Sequence, residues 1–173
     1  MFKNTIFRRM TALVLTLALA AAAALPGLAV YPMPIQTASE TEAVYLFNAD
    51  TGKTILNQNA GQQQYVASLT KLMTALLLLE SGKDLNGEVT VPTALTQEFR
   101  DIQNANGTTM GLRIGETVRR IDLLNAMLIV SANDAASVIA YDVGGSVLDF
   151  VKQMNARAQE LGCTGTNFTC AHG

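Results

Sequence analysis

Histidine is almost absent from this sequence: the 173 residues contain one, His172, next to the last position, and only two cysteines. A Ser-His-Asp triad therefore has little support, because it needs a histidine beside the nucleophile. No metal site is predicted, since two cysteines and one histidine supply too few ligands. Charged residues make up only 15% of the chain, and without a basic patch no nucleic-acid partner is predicted.

The two cysteines, Cys163 and Cys170, flank a short polar segment near the end of the chain. In an exported protein such a pair can close a small-loop disulfide. They can equally be two unpaired, small apolar residues, because sequence supplies no bond geometry. Both interpretations stay open.

The first 29 residues are typical of an export signal. A basic start precedes the apolar run Thr11 to Leu25, and we expect cleavage after Ala29. The alternative is an uncleaved anchor, although the apolar run is shorter than the roughly 20 residues that span a membrane. Cleavage removes three of 12 basic and none of 14 acidic side chains, so the mature chain is acidic. Residues 30–41, with Pro32 and Pro34, are predicted to be a flexible lead.

The remaining chain has a hydrophobic content that favours one folded domain. Residues 43–57 predict a strand hairpin, followed by a mainly helical body with a loop-rich middle at 93–115. The first helix has Leu72, Ala75, Leu76 and Leu79 on one face, and Met73, Leu77 and Leu78 widen this apolar face nearly all round, which predicts a core helix. Four helices are predicted, at 68–81, 118–130, 135–143 and 147–161. The second has Thr117 as its expected N-cap and is expected to face inward with Leu123, Leu124, Met127 and Leu128. The fourth has Ser146 as its expected N-cap.

Ser68-Leu69-Thr70-Lys71 can place a hydroxyl nucleophile and an amine base on one face of the first helix. A serine hydroxyl is a weak nucleophile that needs a proton acceptor as it attacks. Burial beside Leu69, Leu72 and Met73 would lower the pKa of Lys71 toward the range in which an amine acts as a base. A lysine three residues after a serine is common by chance, so this spacing alone is a weak signal.

A second polar element, Ser131-Ala132-Asn133, follows the end of an apolar helix. A serine hydroxyl there can relay a proton, and an asparagine amide can fix a substrate amide through its donor and acceptor ends. The alternative is that Ser131 and Asn133 cap neighbouring helices. The coincidence with Ser68 and Lys71 favours the catalytic interpretation.

Three stretches together resemble the low-molecular-weight penicillin-binding proteins, the serine-type D-alanyl-D-alanine carboxypeptidases of peptidase family S11. They are Ala67 to Ala75, Ser131 to Ala136, and Met154 to Ala158 followed by Leu161-Gly162. The resemblance implies an α+β architecture of the serine β-lactamase and penicillin-binding-protein (transpeptidase-like) type, with an antiparallel sheet beside a helical region. Residues 42–173 would be part of its catalytic domain.

The resemblance further implies the following roles. Ser68 attacks the carbonyl between the two terminal D-alanines of a peptidoglycan pentapeptide and forms an acyl-enzyme, Lys71 is its general base, Ser131 relays the proton and Asn133 positions the peptide. β-Lactams would acylate Ser68, and no cofactor or metal is implied. The enzyme would be exported to the cell envelope, with membrane association through an uncleaved signal or a later anchor.

The sequence departs from the family's pattern in two places. No Lys-Thr-Gly triplet follows Ser131, so we expect an N-terminal fragment of the fold that lacks the later sheet strands. Cys170 and Ala171 stand where the family usually carries Asn-Pro before a His-Gly pair, and His172 is interpreted as a loop residue. Two alternatives stay open: a β-lactamase-like hydrolase, and a non-catalytic, truncated envelope protein.

Overall fold

The computed structural model describes residues 41–173. The predicted export signal, residues 1–29, and nearly all of the predicted lead at 30–41 lie outside the described residues. The described chain divides between Asn59 and Ala60 into two compact units. In the described residues no helix is long and apolar enough to cross a membrane.

The first unit contains the predicted hairpin, formed by strands β1 (Val44–Asn48) and β2 (Lys53–Gln58) in antiparallel pairing. Asn48 closes the turn, because its side-chain Oδ1 accepts the Thr51 N–H at 2.8 Å and its carbonyl accepts the Gly52 N–H at 3.0 Å. Gly52 has a φ of 68°, a conformation that glycine adopts without strain. Contacts between residues of the turn itself therefore set this hairpin.

The second unit, Ala60–Gly173, is mainly helical. Its elements in chain order are α1 (Thr70–Glu80), β3 (Glu88–Thr90), α2 (Thr96–Asn104), β4 (Thr117–Arg119), α3 (Arg120–Ile129), α4 (Asn133–Gly144) and α5 (Val147–Glu160). Short 3-10 turns, Ala67–Leu69 and Thr93–Leu95, precede α1 and α2. Strands β3 and β4 pair antiparallel in a second two-stranded sheet.

Helix α4 is the centre of this unit, since every residue from Asp134 to Ala140 is buried. Three of these residues are alanines, which let neighbouring helices approach closely, and α4 contacts α1, α2, α3 and α5. The chain then turns sharply at Gly145, whose φ of 76° ends the helix. Ser146 caps the start of α5 as predicted, because its Oγ accepts the Asp149 N–H at 3.0 Å.

The prediction for the start of α3 is wrong. Thr117 is not an N-cap but the first residue of β4, and its Oγ1 pairs with that of Thr90 at 3.0 Å. A three-residue strand that runs directly into a helix has no sequence signal of its own. Leu128, expected to face inward, is 48% exposed, whereas Leu123, Leu124 and Met127 are buried as expected.

The predicted inward face of α1 is wrong in part: Ala75 is buried as expected, but two of the leucines are not. Leu72 and Leu79 are 61% and 56% exposed. The buried residues of the helix are Thr70, Lys71, Thr74, Ala75 and Leu78. Three of these five are polar, and hydrophobic periodicity assigns them to the surface. They are buried because the end of the described chain packs against this face of the helix and supplies hydrogen-bond acceptors.

Candidate active site

Ser68 lies in the 3-10 turn just before α1, whereas the sequence predicted it as the first residue of the helix. The preceding residue, Ala67, has a φ of 47°, in the left-handed region that a residue with a Cβ rarely adopts. This bend presents the exposed Ser68 side chain at the N-terminal end of α1. A substrate can therefore reach the hydroxyl, and the positive end of the helix dipole lies beside it.

Lys71 lies one helical turn below Ser68 and is only 1% exposed. Its Nζ donates hydrogen bonds to Ser68 Oγ at 3.0 Å and to the backbone carbonyl oxygen of His172 at 2.9 Å. Burial disfavours the ammonium form and lowers the pKa of Lys71, and the nearby Cys170 partly opposes this effect. The amine is therefore shifted toward the neutral form, which can accept a proton from Ser68.

Ser131 follows α3 by two residues and has a φ of 61°. Its Oγ donates a hydrogen bond to Ser68 Oγ at 2.8 Å, across 63 positions of the chain. A left-handed serine costs about 1–3 kcal/mol and persists only where the surrounding structure holds it. Strained backbone is therefore found both at Ala67, which precedes Ser68, and at Ser131, which donates to the Ser68 hydroxyl.

Asn133 is the first residue of α4, and its backbone N–H donates to the carbonyl of Thr108 at 2.8 Å. Its side-chain Nδ2 lies against Gly107, so close that a Cβ at position 107 would approach it to 2.7 Å. It is not among the residues that line the pocket at Ser68. The role of Asn133 in positioning a peptide stays a prediction. The capping alternative does not hold for α4, since its N-cap is Ala132 and no side chain caps it.

Asp134 was not singled out from the sequence, although it fixes the loop beside Asn133. Its carboxylate is 2% exposed and accepts backbone N–H groups from three successive loop residues, Met110, Gly111 and Leu112, at 3.0 Å each. Such charge-assisted hydrogen bonds are stronger than neutral ones. An acidic residue in a first helical turn was visible in the sequence, but its partners lie more than 20 positions away.

The segment 168–173, for which no secondary structure was predicted, packs against α1 and α5. Ala171 is fully buried beside Phe150 and Met154, and its carbonyl accepts the Thr74 hydroxyl at 2.6 Å. Gly173 has a φ of 78°, and a Cβ there would overlap the carbonyl of Ala67. Glycine is thus required where this segment passes the turn that carries Ser68.

A surface pocket of about 410 Å³ opens at Ser68. Its lining combines the three hydrogen-bonded polar residues with apolar side chains: Val66, Ser68, Leu69, Lys71, Leu72, Met127, Leu128 and Ser131. A wider surface depression of about 550 Å³ lies along residues Gly111, Arg113, Ile114, Gly115 and Glu116, and none of the predicted site residues lines it. The predicted site chemistry and a pocket therefore coincide at Ser68.

The structure thus brings together three of the four predicted site residues, Ser68, Lys71 and Ser131, by direct hydrogen bonds. A nucleophile in contact with a desolvated amine and with a second hydroxyl can attack a carbonyl, give up its proton and pass a proton to a leaving group. Cys163 and Cys170 are both free thiols, so the disulfide interpretation does not apply to this structure.

The family model of D-alanyl-D-alanine carboxypeptidases, Peptidase S11, matches residues 32–173. The chain is 33% identical over 136 residues to D-alanyl-D-alanine carboxypeptidase DacF of Bacillus subtilis, a match that covers 77% of this chain and 33% of DacF. It is 35% identical over 145 residues to DacA of Haemophilus influenzae, covering 81% of this chain and 35% of DacA. The chain therefore spans about a third of the length of these relatives.

Solved structures confirm the predicted fold class. Penicillin binding protein 5 from Haemophilus influenzae matches with a TM-score of 0.60 and 34% identity, over 70% of this chain and 36% of that one. The Streptomyces K15 DD-transpeptidase matches with a TM-score of 0.67 and 29% identity, over 75% of this chain and 51% of that one. The described residues have part of an α+β, transpeptidase-like fold.

Proposed function

The chain belongs to the D-alanyl-D-alanine carboxypeptidase family, peptidase family S11, and on this premise we propose that it supplies the nucleophile and base of a serine-type carboxypeptidase. The substrate would be a peptidoglycan stem peptide that ends in D-alanyl-D-alanine. One observation supports this most directly: Ser68 Oγ receives hydrogen bonds from both Lys71 Nζ and Ser131 Oγ. This arrangement needs no histidine.

In the proposed reaction, Ser68 Oγ attacks the carbonyl carbon between the two D-alanines. Neutral Lys71 accepts the hydroxyl proton, since its pKa is lowered by burial. The C–N bond then breaks, and the departing amine of D-alanine receives this proton from Lys71 through the hydroxyl of Ser131, which leaves Lys71 neutral again. The products of this half-reaction are free D-alanine and an ester on Ser68.

Hydrolysis of that ester completes the cycle. Lys71, 3.0 Å from the ester oxygen's position, can take a proton from an attacking water, and the same proton returns to Ser68 as the acyl group leaves. A β-lactam would acylate Ser68 in the same first step, because its strained amide is attacked as the peptide bond is. Asn133 would orient the peptide backbone through its side-chain amide.

We further propose that residues 1–29 direct export, that residues 30–41 form a lead, and that residues 42–173 supply part of the catalytic domain. The reaction would take place in the cell envelope, because the proposed substrate is a peptidoglycan peptide. This assignment of location rests on the family and on the sequence of the first 29 residues.

Covalent labelling of the full chain with a fluorescent penicillin tests the nucleophile. We expect a stable fluorescent band, with the modified peptide containing Ser68, and no band for Ser68→Ala. Ser81→Ala is a matched control, because Ser81 follows the same helix and its hydroxyl bonds only to the Leu78 carbonyl and the Lys83 N–H among the described contacts. Labelling of the Ser68→Ala chain, or of a peptide without residue 68, would contradict the assignment.

Release of D-alanine from a synthetic pentapeptide tests turnover separately. Labelling together with D-alanine release supports the carboxypeptidase. Labelling without release would instead support the alternative of a penicillin-binding protein that does not turn over its peptide.

A further inference from the structure

Two successive backbone carbonyls of the segment 168–173 accept hydrogen bonds from buried side chains of α1. The carbonyl of Ala171 accepts the Thr74 hydroxyl at 2.6 Å, and the carbonyl of His172 accepts Lys71 Nζ at 2.9 Å. The two donors lie three positions apart on α1, so they share one face of the helix. The main chain of the segment is therefore aligned with the face of α1 that carries the base.

Thr74 is fully buried, with 0% of its surface exposed. A threonine within a helix commonly donates its hydroxyl to a carbonyl of the preceding turn. A hydroxyl has a single proton, and that of Thr74 is donated to Ala171, 97 positions later in the chain. The hydroxyl thus joins α1 to a distant segment instead of bonding to its own helix.

Contacts with α5 hold the same segment from another side. Asn155 Oδ1 accepts the Phe168 N–H at 2.7 Å, and Asn155 Nδ2 donates to the Phe168 carbonyl at 2.9 Å. Ala171 is fully buried in an apolar cluster. These contacts act on residues 168 and 171. On the side of α1, the contact that precedes the carbonyl of His172 is the hydrogen bond from Thr74.

Packing alone does not require a hydroxyl at position 74. Valine has nearly the shape of threonine and would fill this buried position without the cost of burying a polar group. The hydroxyl of Thr74 adds a fixed distance between α1 and the carbonyl of Ala171. Because the peptide unit is planar, only a few backbone dihedrals separate this carbonyl from the next one. Holding the first carbonyl therefore restricts the position of the second, that of His172.

We propose that Thr74 is a positioning residue for the general base: it holds the carbonyl of Ala171 and so places the carbonyl of His172 where it orients the Lys71 amine. The inference rests on the proposed function, in which Lys71 accepts the Ser68 proton. A neutral amine that donates an N–H to the carbonyl can turn its lone pair toward the Ser68 hydroxyl, which lies 3.0 Å from Nζ. Thr74 is not among the residues that line the pocket at Ser68, so it acts through Lys71.

Two substitutions at position 74 separate the hydroxyl from the packing. Thr74→Val keeps the shape and removes the hydroxyl, whereas Thr74→Ser keeps the hydroxyl and removes a methyl group. Thr96→Val is the matched control, because Thr96 Oγ1 also donates to a backbone carbonyl, that of Thr93 at 2.7 Å, and does not line the pocket at Ser68. The rate of acylation by a penicillin is measured across pH for each full chain, and urea denaturation measures its stability.

We expect the plateau rate of acylation to fall about 10- to 100-fold in Thr74→Val, since a misplacement of about 1 Å can cost that much. The rising limb of its pH profile should move to lower pH, because an ammonium with one acceptor fewer is less stabilised in its charged form. Cys170, whose charge raises the pKa of Lys71, is unchanged in every variant. Thr74→Ser should lose stability through its missing methyl group but keep a plateau rate close to that of the unchanged chain.

The double variant Lys71→Arg with Thr74→Val shows whether the hydroxyl acts through the base. A chain with arginine at position 71 has no base to orient, so the second substitution should change its residual rate little. If Thr74→Val does not fold, Thr74→Ala compared with Thr74→Ser tests the same hydroxyl at a smaller side-chain volume.

Three results would overturn the role of Thr74. They are a folded Thr74→Val chain with an unchanged plateau and rising limb, a Thr74→Ser chain that loses as much acylation as Thr74→Val, and losses that add in the double variant. A Lys71→Arg chain that acylates at the original rate would instead overturn Lys71 as the base, and the positioning role of Thr74 with it. A fall in Lys71→Arg without a fall in Thr74→Val overturns the positioning role alone.

Discussion

Lys71 Nζ donates a hydrogen bond to the backbone carbonyl oxygen of His172 at 2.9 Å, across 101 positions of the chain. The buried amine is thus held between two oxygens, this carbonyl and the Ser68 hydroxyl. Because the first of these contacts involves the main chain, side-chain changes at position 172 leave it in place.

The first prediction concerns the protonation of residue 71. Lys71→Arg keeps a cation of similar length, but a guanidinium is not deprotonated in proteins and cannot accept the Ser68 proton. We expect the second-order rate constant for acylation by a penicillin to fall about 10²–10⁴-fold, the usual contribution of a general base. Lys152→Arg is the control, since Lys152 is 67% exposed and pairs with Asp149. If the Lys71→Arg chain kept an acylation rate close to the original one, Lys71 would not be the base.

The second prediction concerns the pH dependence of acylation. Burial lowers the pKa of Lys71, whereas the charge of Cys170 raises it. Cys170→Ser removes the raising effect, so the pKa of Lys71 falls further and more of the amine is neutral at a given pH. In a plot of acylation rate against pH, the rising limb should therefore move to lower pH.

Stopped-flow acylation across the neutral and alkaline pH range measures this shift, and Cys163→Ser serves as the control. The Cys163→Ser profile should overlay that of the unmodified chain. If the rising limb of the pH profile of the Cys170→Ser chain stayed in place or moved to higher pH, the charge of Cys170 would not act on Lys71.

Much of this fold follows from local sequence signals. The hairpin turn at Asn48 to Gly52, the cap at Ser146 and the helix end at Gly145 are each set by residues within a few positions. The contact between Ser68 and Lys71 is local too, because it spans three positions. Such features are predictable since their partners are near in the chain.

The burial of polar side chains on α1 was not predictable in this way. Lys71 and Thr74 find their acceptors 101 and 97 positions later, in a segment without regular secondary structure. Periodicity therefore assigned the exposed Leu72 and Leu79 to the same inward face as the buried Ala75. Likewise, Ser131 and Ser68 are 63 positions apart in the chain. The prediction that they share one site therefore depended on the resemblance to a family.

The third prediction concerns the buried carboxylate beside Asn133. Asp134→Asn replaces one acceptor oxygen by an NH₂ group, so at least one loop N–H at Met110, Gly111 or Leu112 loses its partner in a buried site. A lost charged hydrogen bond with an unsatisfied donor costs about 2–4 kcal/mol of unfolding free energy. Urea denaturation measures it.

Asp149→Asn is the comparison for this test, because the Asp149 side chain is 55% exposed and its ion pair with Lys152 is a surface contact. Its effect should be clearly smaller. Equal losses in the two variants would mean that the carboxylate of Asp134 does not hold the loop.

The last prediction concerns the strained backbone at Ser131, whose φ is 61°. Ser131→Ala and Ser131→Gly both remove the hydroxyl that donates to Ser68, so both should slow penicillin acylation to a similar extent. Only glycine adopts this φ without a Cβ penalty, so the Ser131→Gly chain should exceed the Ser131→Ala chain in unfolding free energy by about 1 kcal/mol. Denaturant titration and labelling kinetics on the same samples separate the two effects. If the alanine variant were as stable as the glycine variant, the backbone at this position would not be strained, and if either retained full acylation, the hydroxyl would have no part in proton transfer.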